Sequence, residues 1–273
     1  MGRSRDRLPI RCGQCRQSRS CLRGTHRRAL VVRADTARRA DFAELRPIRR
    51  EIAVTNATEW INANPQRTFA VGGYSQGAEA ASRILAEIMT GSLQSARPNL
   101  IGGYTFGNPW RLTGHTFPGG TDPAGRGIAG TNLTAEQIPK DANDVDTWWD
   151  FANPGDLYTA TPNDTAGADI TAVYKAAIQL GIDINAMVAL IAGLTGQGSL
   201  AQQVLGLVTD PIVGGAALVE AIDLAVAFYG TNPPTLPHIS YQSLPALSGQ
   251  NSVEVATSHL NHIAGATLAG AAV

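Results

Sequence analysis

A serine stands between two glycines in the stretch Gly73-Tyr74-Ser75-Gln76-Gly77, which follows an apolar run and precedes a helical pattern. In a tight turn between a strand and a helix, a serine hydroxyl is lifted above the strand end, and flanking glycines let the two elements approach closely. The turn also points the backbone N–H of Gln76 toward the place where an oxyanion would develop. The pattern predicts a nucleophile, Ser75, with Gln76 as oxyanion donor, and the alternative is an ordinary strand-to-helix turn.

The residues that could activate this serine come later in the chain. A serine hydroxyl is a weak nucleophile near neutral pH, so it needs a general base, and the base needs an acid that orients it. In α/β-hydrolases the chain order is serine, then Asp or Glu, then His. Asp156, in the loop after a predicted strand, and His238, in a proline-rich loop, follow that order and are the predicted acid and base. Asp150 and Asp164 are weaker candidates for the acid.

Three other histidines compete with His238 for the role of base. His115 precedes the acid candidates in the chain. His259 and His262 are three residues apart on a predicted helix and could be solvated residues or part of a pair. Chain order and loop position therefore favour His238.

The elements that must position these groups form a strand–helix–strand unit. "RTFAVGGYS" is typical of a buried parallel strand, "QGAEAASRILAEIMTG" of a helix, and "NLIGGYTFGNP" of a second strand. This order implies a right-handed parallel crossover. "DVDTWWDF" predicts a further strand that leads to Asp156.

The remaining chain is predicted to be mostly helix and loop. A short helix is expected over 54–65, a long surface excursion over 111–145, several helices over 165–230 and a last helix near 250–269. The fold class predicted is α/β, with a central parallel sheet flanked by helices and a helical insertion before His238. No apolar run reaches the length of about 18 residues that a membrane span needs.

Composition divides the chain into two regions, 1–51 and 52–273. The first contains fifteen arginines and five acidic residues, a net charge of +10, whereas the remaining 222 residues carry seven basic and seventeen acidic residues, a net charge of −10. We interpret 1–51 as an atypical segment that is disordered or mistranslated, because it is rich in Arg, lacks Lys and shows no periodicity. Residues 52–273 are interpreted as the α/β-hydrolase domain, with its helical insertion at about 165–230.

Two functional alternatives exist for the basic segment. It could be an arm that binds nucleic acid. Alternatively, Cys12, Cys15, Cys21 and His26 could bind zinc, although the second well-spaced pair that usually completes such a site is missing. The segment has no apolar region of the kind found in a secretory signal. Neither nucleic acid nor metal is therefore an expected partner.

Four motifs resemble a known family. "GGYSQGA", "FGNP", "FANPGDLYTA" and "LPHISY" occur in the order and with separations similar to those of the lysin B family of mycobacteriophages. That family consists of cutinase-like serine esterases that cleave mycolic acids from arabinogalactan in the host outer envelope. The resemblance implies a triad of Ser75, Asp156 and His238, the same three residues that chain order indicates.

The resemblance also carries expectations about substrate and setting. It implies an esterase that needs no cofactor or metal, takes a long-chain ester as its substrate and acts at the host cell envelope, and we expect a monomer. The alternatives are a cutinase or lipase acting on other long-chain esters, or an inactive wall-binding relative. The family begins with a strand and a Gly-Thr-rich loop that helps to form the oxyanion hole, and here Gly24-Thr25 is the one echo of it. A lost first strand would leave a sheet edge unpaired.

Overall fold

A parallel four-stranded sheet forms the centre of the computed structural model, which describes residues 30–31, 46–179, 220, 223–225, 227–228, 230–233 and 235–270. The strands lie in the order β1-β2-β3-β4. They are β1 (Leu30–Val31), β2 (Phe69–Tyr74), β3 (Leu100–Phe106) and β4 (Trp148–Phe151). A parallel sheet flanked by helices confirms the α/β fold class predicted from the sequence.

Five helices with defined bounds lie within the described residues. They are α1 (Arg46–Ala63), α2 (Gln76–Met89), α3 (Thr165–Gln179), α4 (Leu236–Ile239) and α5 (Ser252–Gly270). Two 3₁₀ turns span Gln94–Asn99 and Ala135–Gln137, and a hairpin pairs β5 (Pro245–Leu247) with β6 (Gln250–Asn251). None of the helices in this part of the chain is long and apolar enough to cross a membrane.

Alternation along β4 separates the two faces of the sheet. Successive side chains of a strand point to opposite faces. Trp148 is fully buried in the cluster that α1 and α2 form with the sheet, where Ile84 and Leu85 of α2 are also fully buried. Trp149 lies on the other face, where α5 packs and His259 stacks on its indole ring. The sheet is therefore covered by helices on both faces.

The first strand is present, contrary to the expectation of a lost strand. Leu30 and Val31 pair in parallel with Val71 and Gly72 of β2. The predicted unpaired edge of β2 is therefore wrong along these two residues. The strand was not predicted, because an apolar run of four residues (29–32) inside an Arg-rich segment shows no periodicity.

The first helix is longer than predicted. It begins at Arg46 rather than at Val54 and ends at Ala63, just before Asn64-Pro65 as expected. Pro47 stands in its first turn, where the missing N–H removes no helical hydrogen bond. The helix crosses the predicted boundary between residues 51 and 52.

The predicted surface excursion over 111–145 is a long loop with many exposed residues, and a buried arginine anchors it. Arg111 is fully buried, and four apolar residues of the segment, Phe117, Ile128, Leu133 and Ile138, are buried. The Arg111 guanidinium donates five hydrogen bonds, to the carbonyls of His115, Ala124, Gly125 and Thr159 and to the Asp122 carboxylate. One cation thus organises a long loop that has little regular structure.

The predicted helical block over 165–230 is described in part. Helix α3 opens it, and residues 223–225 and 227–228 are helical. Residues 180–219 lie outside the described residues.

Candidate active site

The turn between β2 and α2 holds Ser75 in a strained backbone conformation. Ser75 has φ 57° and ψ −122°, and its N–H donates to the Phe106 carbonyl of β3 at 2.9 Å. A non-glycine residue at positive φ is uncommon and is often found at functional sites. A Cβ at Gly73 would lie 2.2 Å from the Gly77 carbonyl oxygen, so the close approach of strand and helix requires glycine there. This is the strand–serine–helix geometry that the motif predicts.

His238 reaches the serine from the short helix α4. The residue before α4, Thr235, is left-handed with φ 61°, and its carbonyl accepts the N–H of His238 at 2.8 Å. The buried imidazole places Nε2 2.9 Å from Oγ of Ser75. The predicted base and the predicted nucleophile are therefore within hydrogen-bonding distance.

Asp156 lies behind the imidazole in the loop after β4. It is fully buried, and both carboxylate oxygens are 3.0 Å from Nδ1 of His238. Oδ1 also accepts the backbone N–H of Tyr158 at 3.1 Å, and Oδ2 accepts the hydroxyl of Tyr241 at 2.6 Å. When Nδ1–H donates to Asp156, Nε2 is left as the acceptor for the Ser75 hydroxyl proton. The structure brings together all three residues that chain order indicated.

Gly107 leaves the space in which the acid and the base meet. It follows β3 directly and has φ +56°, and a Cβ there would lie 2.6 Å from Cε1 of His238 and 3.0 Å from Oδ2 of Asp156. Gly107 belongs to the "FGNP" motif, but the side chains nearest to it, His238 and Asp156, come from distant parts of the sequence. Any side chain at this position would displace the imidazole or the carboxylate.

Two tyrosine rings hold the imidazole of His238. The Tyr158 ring is stacked on it at 4.4 Å between centroids, and the Tyr74 ring at 5.1 Å. The Tyr74 hydroxyl donates to the His238 carbonyl at 2.9 Å, which ties the residue before the nucleophile to the helix that carries the base. Partial burial, and then the charge of Asp156, raise the pKa of Tyr74 to about 12. Tyr74 therefore stays a neutral donor throughout the neutral pH range.

The backbone amide of Gln76 is placed as an oxyanion donor would be. Gln76 is the first residue of α2, and a first-turn N–H has no carbonyl acceptor one turn back in the helix. The helix dipole adds partial positive charge at the same end. Gly24-Thr25, the one echo of the loop that helps to form the oxyanion hole in the family the chain resembles, lies outside the described residues.

The competing acid Asp150 and histidine His115 form a separate buried pair. Nδ1 of His115 donates to Asp150 at 2.7 Å, and the same carboxylate accepts hydrogen bonds from Thr105 and Asn108. Burial favours neutral His115, but the hydrogen bond to Asp150 and its charge outweigh burial and raise the pKa of His115. Burial would raise the pKa of Asp150, but the hydrogen bond and charge of His115 lower it. This pair anchors the loop that follows β3 to strand β4.

The other candidates have structural positions. His259 is buried, stacks on Trp149 at 3.7 Å and donates from Nε2 to the Thr147 carbonyl at 2.9 Å, so its interpretation as a solvated residue is wrong. His262 is exposed. Asp164 caps α3 by accepting the N–H of Gly167 at 2.9 Å. Neither histidine of α5 takes part in the Ser75 hydrogen-bond chain.

No metal cluster occurs among the residues that the structure describes. No group of three or more His, Cys, Asp or Glu side chains in that part of the chain could hold a metal ion. The proposed zinc ligands Cys12, Cys15, Cys21 and His26 lie outside it. The zinc and nucleic-acid alternatives for residues 1–51 therefore stay predictions.

Fold and site together define an α/β-hydrolase arrangement: a parallel sheet between helices, a serine at a strand-to-helix turn, and an acid and a histidine on later loops. Tyr241 and the two stacked tyrosines were not among the predicted site residues, although Tyr241 stands three residues after His238 in the "LPHISY" motif. Residues three apart share one side of a helical turn, which was the available signal.

Comparisons with known proteins find similar solved structures of low identity, among them the following two. Lysin B from mycobacteriophage D29 is 22% identical with a TM-score of 0.42, and the match covers 68% of this chain and 70% of that one. A cutinase-like protein from Cryptococcus sp. is 19% identical with a TM-score of 0.34, covering 55% of this chain and 74% of that one. No family model and no curated protein matches this sequence.

Proposed function

We propose that this protein is a serine esterase that works through an acyl-enzyme. One observation carries the proposal: a continuous hydrogen-bond chain runs from the Ser75 hydroxyl through the His238 imidazole to the Asp156 carboxylate. Such a chain increases the nucleophilicity of a serine because the imidazole accepts its proton as the bond to the carbonyl carbon forms.

The reaction has two halves that use the same groups. In the first, Oγ of Ser75 attacks the ester carbonyl, His238 takes the hydroxyl proton and returns it to the leaving alcohol, and an acyl-serine remains. In the second, His238 removes a proton from water, the hydroxide attacks the acyl carbon, and the proton goes back to Ser75 as the acid leaves. The Gln76 N–H stabilises the oxyanion in both halves, and Asp156 stabilises the imidazolium.

Within this class, the substrate we propose is the mycolic acid ester of arabinogalactan, hydrolysed in the mycobacterial envelope during phage lysis. The four sequence motifs that resemble the lysin B family support it. Exposed apolar side chains beside the triad, Tyr74, Leu236 and Ile239, suit a substrate with a long hydrocarbon chain. The second candidate is a cutinase or lipase acting on other long-chain esters, and the same exposed apolar residues favour it.

The activity is tested with a fluorophosphonate probe and p-nitrophenyl esters on the full chain. Wild type should be labelled and should hydrolyse the ester, and Ser75→Ala should lose both while keeping its circular-dichroism spectrum. Ser258→Ala is the matched control, because Ser258 is exposed on α5 and its hydroxyl donates to the Glu254 carbonyl. An unlabelled wild type would support the inactive wall-binding alternative and contradict the proposal.

A second experiment distinguishes the substrates. The enzyme is incubated with isolated mycobacterial cell-wall material, with a polymeric ester and with a long-chain triglyceride, and the released acids are identified by mass spectrometry. Release of free mycolic acids from the wall supports the lysin-type substrate. Labelling of Ser75 together with hydrolysis of the polymer or triglyceride alone supports the cutinase or lipase alternative.

A further inference from the structure

Tyr241 has a defined hydrogen-bonding direction at the acid of the triad. Its hydroxyl oxygen accepts the backbone N–H of Asn153 at 3.2 Å and lies 2.6 Å from Oδ2 of Asp156. Because the oxygen is already an acceptor from Asn153, its own proton is the one that lies between it and the carboxylate. Tyr241 is therefore a donor to Asp156.

The surrounding structure fixes the position of that donor. The ring of Tyr241 is buried and packs on Phe106 at 5.7 Å between centroids. The backbone carbonyl of Tyr241 accepts the N–H of Ser252, the first residue of α5, at 3.1 Å. The ring of Tyr241 and its backbone are therefore both held in place by contacts within the protein.

The protonation state of Tyr241 suits a permanent donor. Burial, and then the charge of Asp156, raise the pKa of the phenol well above its ordinary value of 10.0. The hydroxyl keeps its proton at every pH at which a serine–histidine pair would operate.

We propose that Tyr241 is a positioning residue that sets the orientation of Asp156 and the strength with which Asp156 holds the His238 imidazolium. The proposal rests on the proposed esterase function. Without the tyrosine, Oδ2 of Asp156 would keep Nδ1 of His238 as its one partner among the contacts described above. The carboxylate could then rotate about its χ2 torsion. Because no hydroxyl would donate to it, its negative charge would also stabilise the imidazolium more strongly.

The other titratable groups that face this pair come from three elements. Tyr74 at the end of β2 donates to the His238 carbonyl, Tyr158 stacks on the imidazole from the loop after β4, and Ser75 contacts Nε2. Both tyrosines are neutral donors or aromatic surfaces near neutral pH, so Asp156 supplies the one carboxylate charge in contact with His238 among the described residues. A change at Tyr241 should therefore be read out in the protonation of His238.

The test measures the fluorophosphonate labelling rate of Ser75 as a function of pH, because labelling requires neutral His238. In Tyr241→Phe the midpoint of the acidic limb should rise by about one pH unit, and the plateau rate should fall about tenfold, as expected for losing one hydrogen bond to a charged group. Tyr104→Phe is the matched control, since Tyr104 belongs to the same aromatic cluster and its ring packs on Phe106. It should leave the midpoint unchanged.

A second variant moves the midpoint in the opposite direction and keeps the tyrosine. Site-specific 3-fluorotyrosine at position 241 is a stronger hydrogen-bond donor, so it should lower the midpoint. A role confined to packing would change the melting temperature and leave the midpoint where it is. Midpoints within about 0.2 pH unit of wild type in both variants would overturn the proposal. Absence of labelling in wild type would instead overturn the esterase function, so the two failures are distinguishable.

Discussion

Nε2 of His238 lies 2.9 Å from the hydroxyl oxygen of Ser75, although 163 residues separate the two in the chain. Two local backbone features allow the contact: the positive φ of Ser75 after β2, and the one-turn helix α4, which begins after the left-handed Thr235. Asn153, in the loop that carries the acid, donates to the Pro237 carbonyl of that helix at 2.7 Å. The acid loop and the base helix are therefore held together by this side-chain-to-backbone hydrogen bond as well as by the triad.

Asp156→Asn should lower kcat by about 10⁴, the scale of the same change in other serine hydrolases. An amide can donate to Nδ1, which favours the tautomer with the proton on Nε2 and leaves no acceptor for the Ser75 hydroxyl. The measurement is steady-state hydrolysis of a p-nitrophenyl ester. Asp164→Asn is the control, because an asparagine still caps α3 and should retain wild-type activity. Equal losses in both variants would contradict the assignment of the acid.

His238→Gln should lower the activity, whereas His259→Gln should lower the stability. The first should lose about 10³–10⁴ in activity, since it removes the base. The second should keep its activity and lose about 2 kcal/mol in the free energy of unfolding, since His259 stacks on Trp149 and donates to the Thr147 carbonyl. Ester hydrolysis and urea denaturation measure the two effects. Retained activity in His238→Gln would show that another histidine is the base.

The His115–Asp150 pair predicts a pH-dependent contribution to stability. Because the pKa of His115 is raised from its ordinary 6.5, its contribution is complete below that value and disappears as pH rises through the folded-state pKa. Because the pKa of Asp150 is lowered from its ordinary 3.8, its contribution is present above that value and disappears as pH falls through the folded-state pKa. The pair should therefore stabilise the fold most between about pH 4 and pH 6.5.

Urea denaturation of wild type and His115→Gln at pH 5.5 and pH 8.5 tests this window. The loss in unfolding free energy should be larger at pH 5.5. His262→Gln, a change at an exposed histidine, is the control and should have little effect at either pH. A larger loss at pH 8.5 would contradict the raised pKa of His115.

Arg111→Met should lower the free energy of unfolding by about 3 kcal/mol or more, because four carbonyls and a carboxylate lose a shared cationic donor. Limited proteolysis should then cleave within 112–126. Arg97→Met is the matched control: Arg97 is exposed, and this change should stay within about 0.5 kcal/mol. Equal stability of the two variants would mean that the loop is ordered without Arg111.

The contact among Ser75, Asp156 and His238 could be predicted because local pattern and chain order both restrict which residues can form it. The glycines around Ser75 specify a turn, and the order of acid and base leaves few candidates once the strands are placed. Arg111 could not be predicted, because a charged residue in a loop rich in Gly and Pro is ordinarily exposed. The pairing of β1 with β2 and the contact of Tyr241 with Asp156 depend on long-range register and on the direction of a short helix, which no local periodicity encodes.

Gly107 has a consequence for how such a protein can diverge. It reacts with nothing, yet a single methyl group at this position would overlap the imidazole ring. Mutations should therefore accumulate on the surface of the molecule but not at residue 107. A random library selected for ester hydrolysis should return glycine at 107 as consistently as serine at 75. Glycine at this position would then help to identify distant descendants of this chain after most other residues have changed.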